Sequence, residues 1–170
     1  MRLLLPLLAI TFFTSCEFHA KVKEATDEAA KSSTKSKIRN GINIKSNGLK
    51  VSQAFLVYGD GTLVPPENLA KINQELYIRL IIDSGWKVEN GKVAIGASEK
   101  VTTSDGKAIL DEADLFSGND TVDEKDAGVI VLKVVINRVD KLYDYYQVNF
   151  KVWDKKGTGE ITGDYRFNIQ

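Results

Sequence analysis

The sequence predicts an all-β fold, an antiparallel two-sheet β-sandwich, and three observations carry that prediction. Runs rich in β-branched and aromatic residues recur from Ile42 to Ile169. Turn-forming pairs such as Asn47-Gly48, Asn90-Gly91 and Asp105-Gly106 separate them, at about the 8–12-residue spacing of sandwiches and barrels. No long stretch places apolar residues at the i, i+3, i+4, i+7 spacing of a helix.

The elements follow in order. Ile42–Lys45 alternates and runs into the Asn47-Gly48 turn. Leu49–Tyr58 is strand-like with an imperfect period, which places a bulge near Gln53. Gly59-Asp60-Gly61 ends it, and Val64-Pro65-Pro66 forces an extended connection. Leu76–Ile82 is apolar except for Arg79 and reads as a central strand. Trp86–Val88 and Lys92–Ile95 flank Glu89-Asn90-Gly91 as a hairpin. Val101–Thr103 and Ala108–Leu110 flank Ser104-Asp105-Gly106 as a second one. Val129–Ile136 is the most strand-like segment. Along Tyr145–Trp153, Tyr146, Val148, Phe150 and Val152 point one way. Tyr145, Gln147, Asn149, Lys151 and Trp153 point the other. Ile161–Ile169 closes the domain, with Tyr165, Phe167 and Ile169 on one face. The sum is about eight strands. Their expected packing resembles an immunoglobulin-like or C2-like sandwich, with a closed barrel of about eight strands as the alternative. The cysteine pair of antibody-type domains is absent. The folded domain is placed at residues 41–170.

The N-terminus carries a different signal. Arg2 precedes an apolar run, Leu3–Ile10 with Phe12 and Phe13, that ends in Thr14-Ser15-Cys16. The run is too short for a bilayer core, which needs about 20 residues, and Pro6 weakens it as a helix. A charged start, a short apolar core and a small-residue exit make a secretory signal. The exit resembles the lipobox of bacterial lipoproteins, in which small residues precede a cysteine. Phe13 departs from that pattern, where an aliphatic residue is usual. The resemblance covers the first 16 residues and implies that residues 1–15 are a signal peptide. It implies that the Cys16 thiolate takes a diacylglyceryl group and that cleavage before Cys16 frees an amine for acylation. Two or more chains make a stable anchor. Glu17 is not the Asp that commonly marks inner-membrane retention in enteric members, so the outer membrane is the favoured destination.

Residues 16–40 read as the lipidated N-terminus and a flexible tether. Lys, Glu, Ser, Thr and Ala dominate there, and such a segment buries too little surface to offset its chain entropy. His19, the only histidine, lies in this tether with no metal-ligand or catalytic partner nearby in sequence.

Composition excludes several function classes. The formal net charge is zero and no basic cluster stands out, so nucleic acid is not an expected partner. The single Cys and single His both precede the folded domain, which leaves no thiol or imidazole there for a nucleophilic triad or a zinc site. Phosphate-cradling glycine motifs are missing. The chain reads as a non-enzyme with no cofactor beyond the lipid on Cys16.

Two candidate sites remain. The acidic stretch 111–126 reads as a long loop in which Asp120, Asp123 and Asp126, with Asn119, could offer oxygens to calcium. That would suit a calcium-dependent glycan-binding or glycan-processing module. Its spacing departs from the EF-hand loop, and a solvated loop that protects a sheet edge is the favoured reading. Leu115-Phe116 would plug it onto the core. The second candidate is aromatic: Tyr143, Tyr145 and Trp153 on the outward side of one sheet would make a carbohydrate or protein contact surface, unless they cover the sheet or fill the core. Trp86 is expected to cap the core end. The sequence therefore describes a lipid-anchored cell-envelope β-sandwich, a non-enzymatic binding or accessory module with a protein or envelope partner.

Overall fold

Period-two burial organises the domain into two sheets packed face to face. The computed structural model describes residues 37–118 and 121–170. The leader, Cys16, His19, most of the tether, Asn119 and Asp120 lie outside the described residues. The strands are β1 (Lys37–Ile38), β2 (Asn43–Asn47), β3 (Lys50–Tyr58), β4 (Leu69–Ala70), β5 (Glu75–Ser84) and β6 (Lys92–Thr103). They continue with β7 (Ala108–Glu112), β8 (Thr121–Asp123), β9 (Val129–Val135), β10 (Tyr146–Asp154) and β11 (Glu160–Ile169). A single 3₁₀ turn, Glu124–Asp126, joins β8 to β9.

The smaller sheet runs β1-β3-β5-β9 and the larger β2-β11-β10-β6-β7, with β4 added to β11 and β8 to β6. All pairings are antiparallel except β1 with β3 and β4 with β11. Alternate residues of each long strand meet in the core. Leu76, Ile78, Leu80 and Ile82 enter from β5, and Ile130, Leu132 and Val134 from β9. Val148, Phe150 and Val152 of β10 and Ile161, Tyr165 and Phe167 of β11 enter from the other side. Tyr146 stacks on Phe167 with ring centres 5.3 Å apart, which closes one end of the core.

Several expectations hold. β5 lies between β3 and β9, so the apolar run is central. The β3–β5 register shifts between Val51 and Gln53, which is the expected bulge; Ser52 at the shift donates its hydroxyl to Asp83 at 2.6 Å. The Trp86 indole packs on the core and its Nε1 donates to the Ala127 carbonyl at 3.1 Å.

Other expectations need correction. Trp86–Val88 is not a strand, and its hairpin with Lys92 shrinks to one bridge from Glu89. Gly85 directs this: its φ is +113°, and a Cβ there would overlap the Gly48 carbonyl. The chain thus leaves the sheet at Gly85 in a conformation that non-glycine residues rarely adopt. Lys92–Ile95 and Val101–Thr103 are not separate strands but the two ends of β6. The acidic stretch is not one loop. Asp111 and Glu112 belong to β7, Asp123 to β8, and Glu124–Asp126 to the 3₁₀ turn. Residues 37–40 join the sandwich, because Lys37 and Ile38 pair with Gln53 and Ala54.

Candidate functional site

The outward face of the larger sheet is built from cross-strand rows. Register sets Gly96 of β6 opposite Trp153 of β10 and Trp153 opposite Glu160 of β11. The next rows are Ser98–Lys151–Thr162 and Lys100–Asn149–Asp164. Alternation fixes this: Tyr146, Val148, Phe150 and Val152 are buried, so Asn149, Lys151 and Trp153 must face out.

Gly96 makes the Trp153 position possible. A Cβ at residue 96 would overlap Cε2, Cζ2 and Nε1 of the indole, so the ring lies against the bare backbone of β6. The Lys151 ammonium sits 5.8 Å from the ring centre and 2.6 Å from a Glu160 carboxylate oxygen. An open cavity of about 380 Å³ sits here, lined by Trp153, Lys151, Glu160, Ser98, Ala113, Asp154 and residues 157–159. A second cavity of about 370 Å³ shares Ser98, Ala113 and Lys151 with it and extends to Asn149, Lys100 and Asp111. Together they form a trough along β6 and β10, apolar and flat at the Trp153 end and hydroxyl-, amide- and charge-lined beyond.

Two devices hold its walls. Asp154 is buried and accepts backbone N–H groups from Lys87 at 2.6 Å and from Lys156 and Gly157 at 2.9 Å. This fastens the β10–β11 turn to the segment after Gly85. On the opposite wall, Lys155 pairs with Asp114 at 2.6 Å. Asp114 also accepts the Phe116 N–H at 3.0 Å, while Leu115 N–H donates to the Ala97 carbonyl at 2.6 Å. The Lys155 ammonium holds the Asp114 carboxyl below its ordinary range. Only Phe116 of the Leu115-Phe116 pair packs on the core; Leu115 is exposed.

The three aromatic candidates do not converge. Tyr145 precedes β10 at the far end, about 26 Å of strand away from Trp153 at ~3.3 Å per residue, with the Arg166 guanidinium 4.2 Å over its ring. Tyr143 packs edge-on against Tyr146 and donates its hydroxyl to Asp140 at 2.7 Å. It therefore closes the core end, and only Trp153 stands in the trough.

The carboxylates proposed for calcium do not cluster either. Asp123 is paired with Lys92 at 2.6 Å, Asp126 is exposed in the 3₁₀ turn, and Asp120 lies outside the described residues. Among the described residues, no group of three His, Cys, Asp or Glu side chains could hold a metal ion.

Sequence reasoning missed Glu99. It lies on the inward face of β6 with Val93, Ile95, Ala97 and Val101, and both its carboxylate oxygens are buried without a hydrogen-bond partner. Burial pushes its carboxyl up to about 7. The Tyr165 hydroxyl is buried and unpartnered as well; burial, then the Glu99 charge, push it well above its ordinary value. Period-two counting along β6 would have exposed the conflict, since Glu99 shares its parity with four aliphatic neighbours.

No protein-family model and no curated protein matches the chain. Among solved structures, it is similar to the crystal structure of the C-terminal domain of wzt. The two are 15% identical, with a TM-score of 0.49, over 78% of this chain and 80% of that one.

Proposed function

We propose that this protein is a lipid-anchored envelope module, attached to the outer membrane through Cys16, that binds a glycan along the trough on its larger sheet without catalysing a reaction. The observation that carries the reading is the Trp153 indole, laid flat over Gly96 at the end of a trough of polar side chains. A flat aromatic surface suits the apolar face of a sugar ring, and the hydroxyl, amide and charged groups beyond it suit the ring's hydroxyls. Lys151 and Glu160 are both half-exposed beside the ring, so they can exchange their mutual pairing for ligand bonds at small cost. The reading needs no metal.

The test is calorimetric titration of the protein with purified envelope polysaccharides and peptidoglycan fragments. Trp153→Ala is expected to weaken binding about tenfold or more, the loss typical of a buried aromatic anchor, while leaving the melting temperature within a few degrees. Binding that survives Trp153→Ala unchanged, or no binding to any glycan, removes the proposal. The anchor is tested separately by labelled palmitate: incorporation into the wild type and not into Cys16→Ser is expected.

A further inference from the structure

The smaller sheet ends in an open strand. Among the described residues, β9 pairs only with β5. The Ile82 N–H donates to the Gly128 carbonyl at 2.9 Å. In an antiparallel ladder this makes residues 128, 130, 132 and 134 the ones whose backbone groups face β5. The N–H and C=O groups of Val129, Val131, Lys133 and Val135 therefore point off the free edge. The same four residues carry the outward side chains, and Val129 and Val131 are 47% and 40% exposed.

The usual guards of an edge are weak here. β9 has no proline, and no register shift marks its pairing with β5. Its one charge, Lys133, reaches sideways to Glu75 of β5 at 3.3 Å. Glu75 also accepts the Tyr77 hydroxyl at 2.7 Å; that bond first, and Lys133 second, hold its carboxyl below the ordinary range. The lysine is thus neutralised inside its own sheet instead of standing off the edge.

We propose that β9 pairs antiparallel with β9 of a second copy of this chain, joining two smaller sheets into one across a two-fold axis at Leu132. A second copy fits because this edge complements itself. Ladder bonds must join odd residues to odd residues, so outward side chains meet outward ones and both cores stay on the same side. Centring on Leu132 pairs Val131 with Lys133 of the other copy and Val129 with Val135. That register uses all four edge-facing residues and forms about eight backbone hydrogen bonds. It sets each Lys133 opposite a valine, so no like charges are directly opposed.

Two substitutions at one position read the register. Val131→Lys would set lysine against the other copy's Lys133 twice per dimer, and Val131→Glu would set opposite charges there twice. Cross-strand charge pairs are worth about 0.2–1 kcal/mol each, so the dimer dissociation constant is expected to rise about fivefold for the lysine variant and fall about as much for the glutamate variant. Sedimentation velocity on the purified full chain, across a broad concentration series, reads both. A second measurement covers a variant that fails to fold. Val131→Cys with Lys133→Cys should give a reducible covalent dimer on a non-reducing gel, and Val129→Cys with Lys133→Cys should give little. A wild type that stays monomeric throughout, equal effects of the two charges, or equal cross-linking by both cysteine pairs overturns the proposal. An edge reserved for an extended peptide of another protein would give the first of these results.

Discussion

Asn40 and Asn68 clasp each other across the sandwich edge. The Asn40 amide nitrogen donates to the Asn68 side-chain oxygen at 2.9 Å, and the Asn68 amide donates to the Asn40 carbonyl at 2.8 Å. Asn68 also donates to the Arg166 carbonyl at 2.8 Å, and Asn40 accepts the Leu56 N–H at 3.1 Å. Both residues sit in the left-handed region, with φ of +57° and +52°, which asparagine tolerates better than most residues. One side-chain pair thus ties the segment after β1 to β3, to the segment before β4 and to β11. Asn68→Ala should cost about 2–4 kcal/mol, from lost buried hydrogen bonds and a strained backbone. Asn68→Gly relieves the strain and should cost about 1 kcal/mol less. Urea unfolding of both variants measures the difference; equal stability to wild type would show that the clasp carries no weight.

Glu99 predicts a pH dependence of unusual direction. An acid whose folded value lies above its unfolded value contributes stability that is complete below the unfolded value. That stability is lost as pH rises through the folded one. A rise from 4.5 to about 7 corresponds to about 3 kcal/mol. Burial of the carboxyl, whose two oxygens have no hydrogen-bond partner, is the cause of that rise. Unfolding free energy should therefore fall between about pH 4.5 and 7, and Glu99→Gln should flatten that slope. A variant that keeps the full slope would place its origin elsewhere.

Tyr165→Phe removes a buried hydroxyl that has no partner. An unpaired buried polar group costs about 1–3 kcal/mol, so this deletion should leave the protein as stable as wild type or more so. A loss above about 1 kcal/mol in chemical unfolding would reveal a partner for that oxygen.

Gly96→Ala tests the seat of Trp153 without touching the ring. The added methyl displaces the indole from the β6 backbone. Tryptophan emission should shift to longer wavelength as the ring swings into water, and glycan affinity should fall with it. Trp86 contributes a constant background, which Trp86→Phe removes.

Calcium should leave the melting curve unchanged. Asp123 is paired with Lys92, Asp126 stands in the 3₁₀ turn, and among the described residues no three carboxylates converge, so an ion finds too few oxygen ligands there. Curves that differ between calcium and chelator would restore a role for the acidic stretch.

How far the fold was legible follows from what each element depends on. β10 was readable because its alternation is local: every second residue is large and apolar. β1, β4 and β8 were not, because strands of two or three residues exist only through partners far away in sequence. Trp86–Val88 has strand composition, yet Gly85 must squeeze past Gly48, a contact between remote segments. The same divide runs through the candidate site. Trp153 was legible as an outward aromatic; the role of Gly96 was not, since it appears only when β6 and β10 are in register. Tyr143 was misplaced because its distance from β10 is set by a connection whose path follows from ion pairs such as Lys107–Asp140.

The position of β1 has a mechanical consequence. It sits at the opposite margin of its sheet from β9, so the proposed anchor, reached through Lys37, and the proposed second copy on β9 would use different flanks. A pull applied to the chain at Lys37, as the proposed anchor would exert, would meet the two-residue ladder on β3 first and the Asn40 amide next. Under such a load those few bonds would part before the long ladders of β3, β5 and β9.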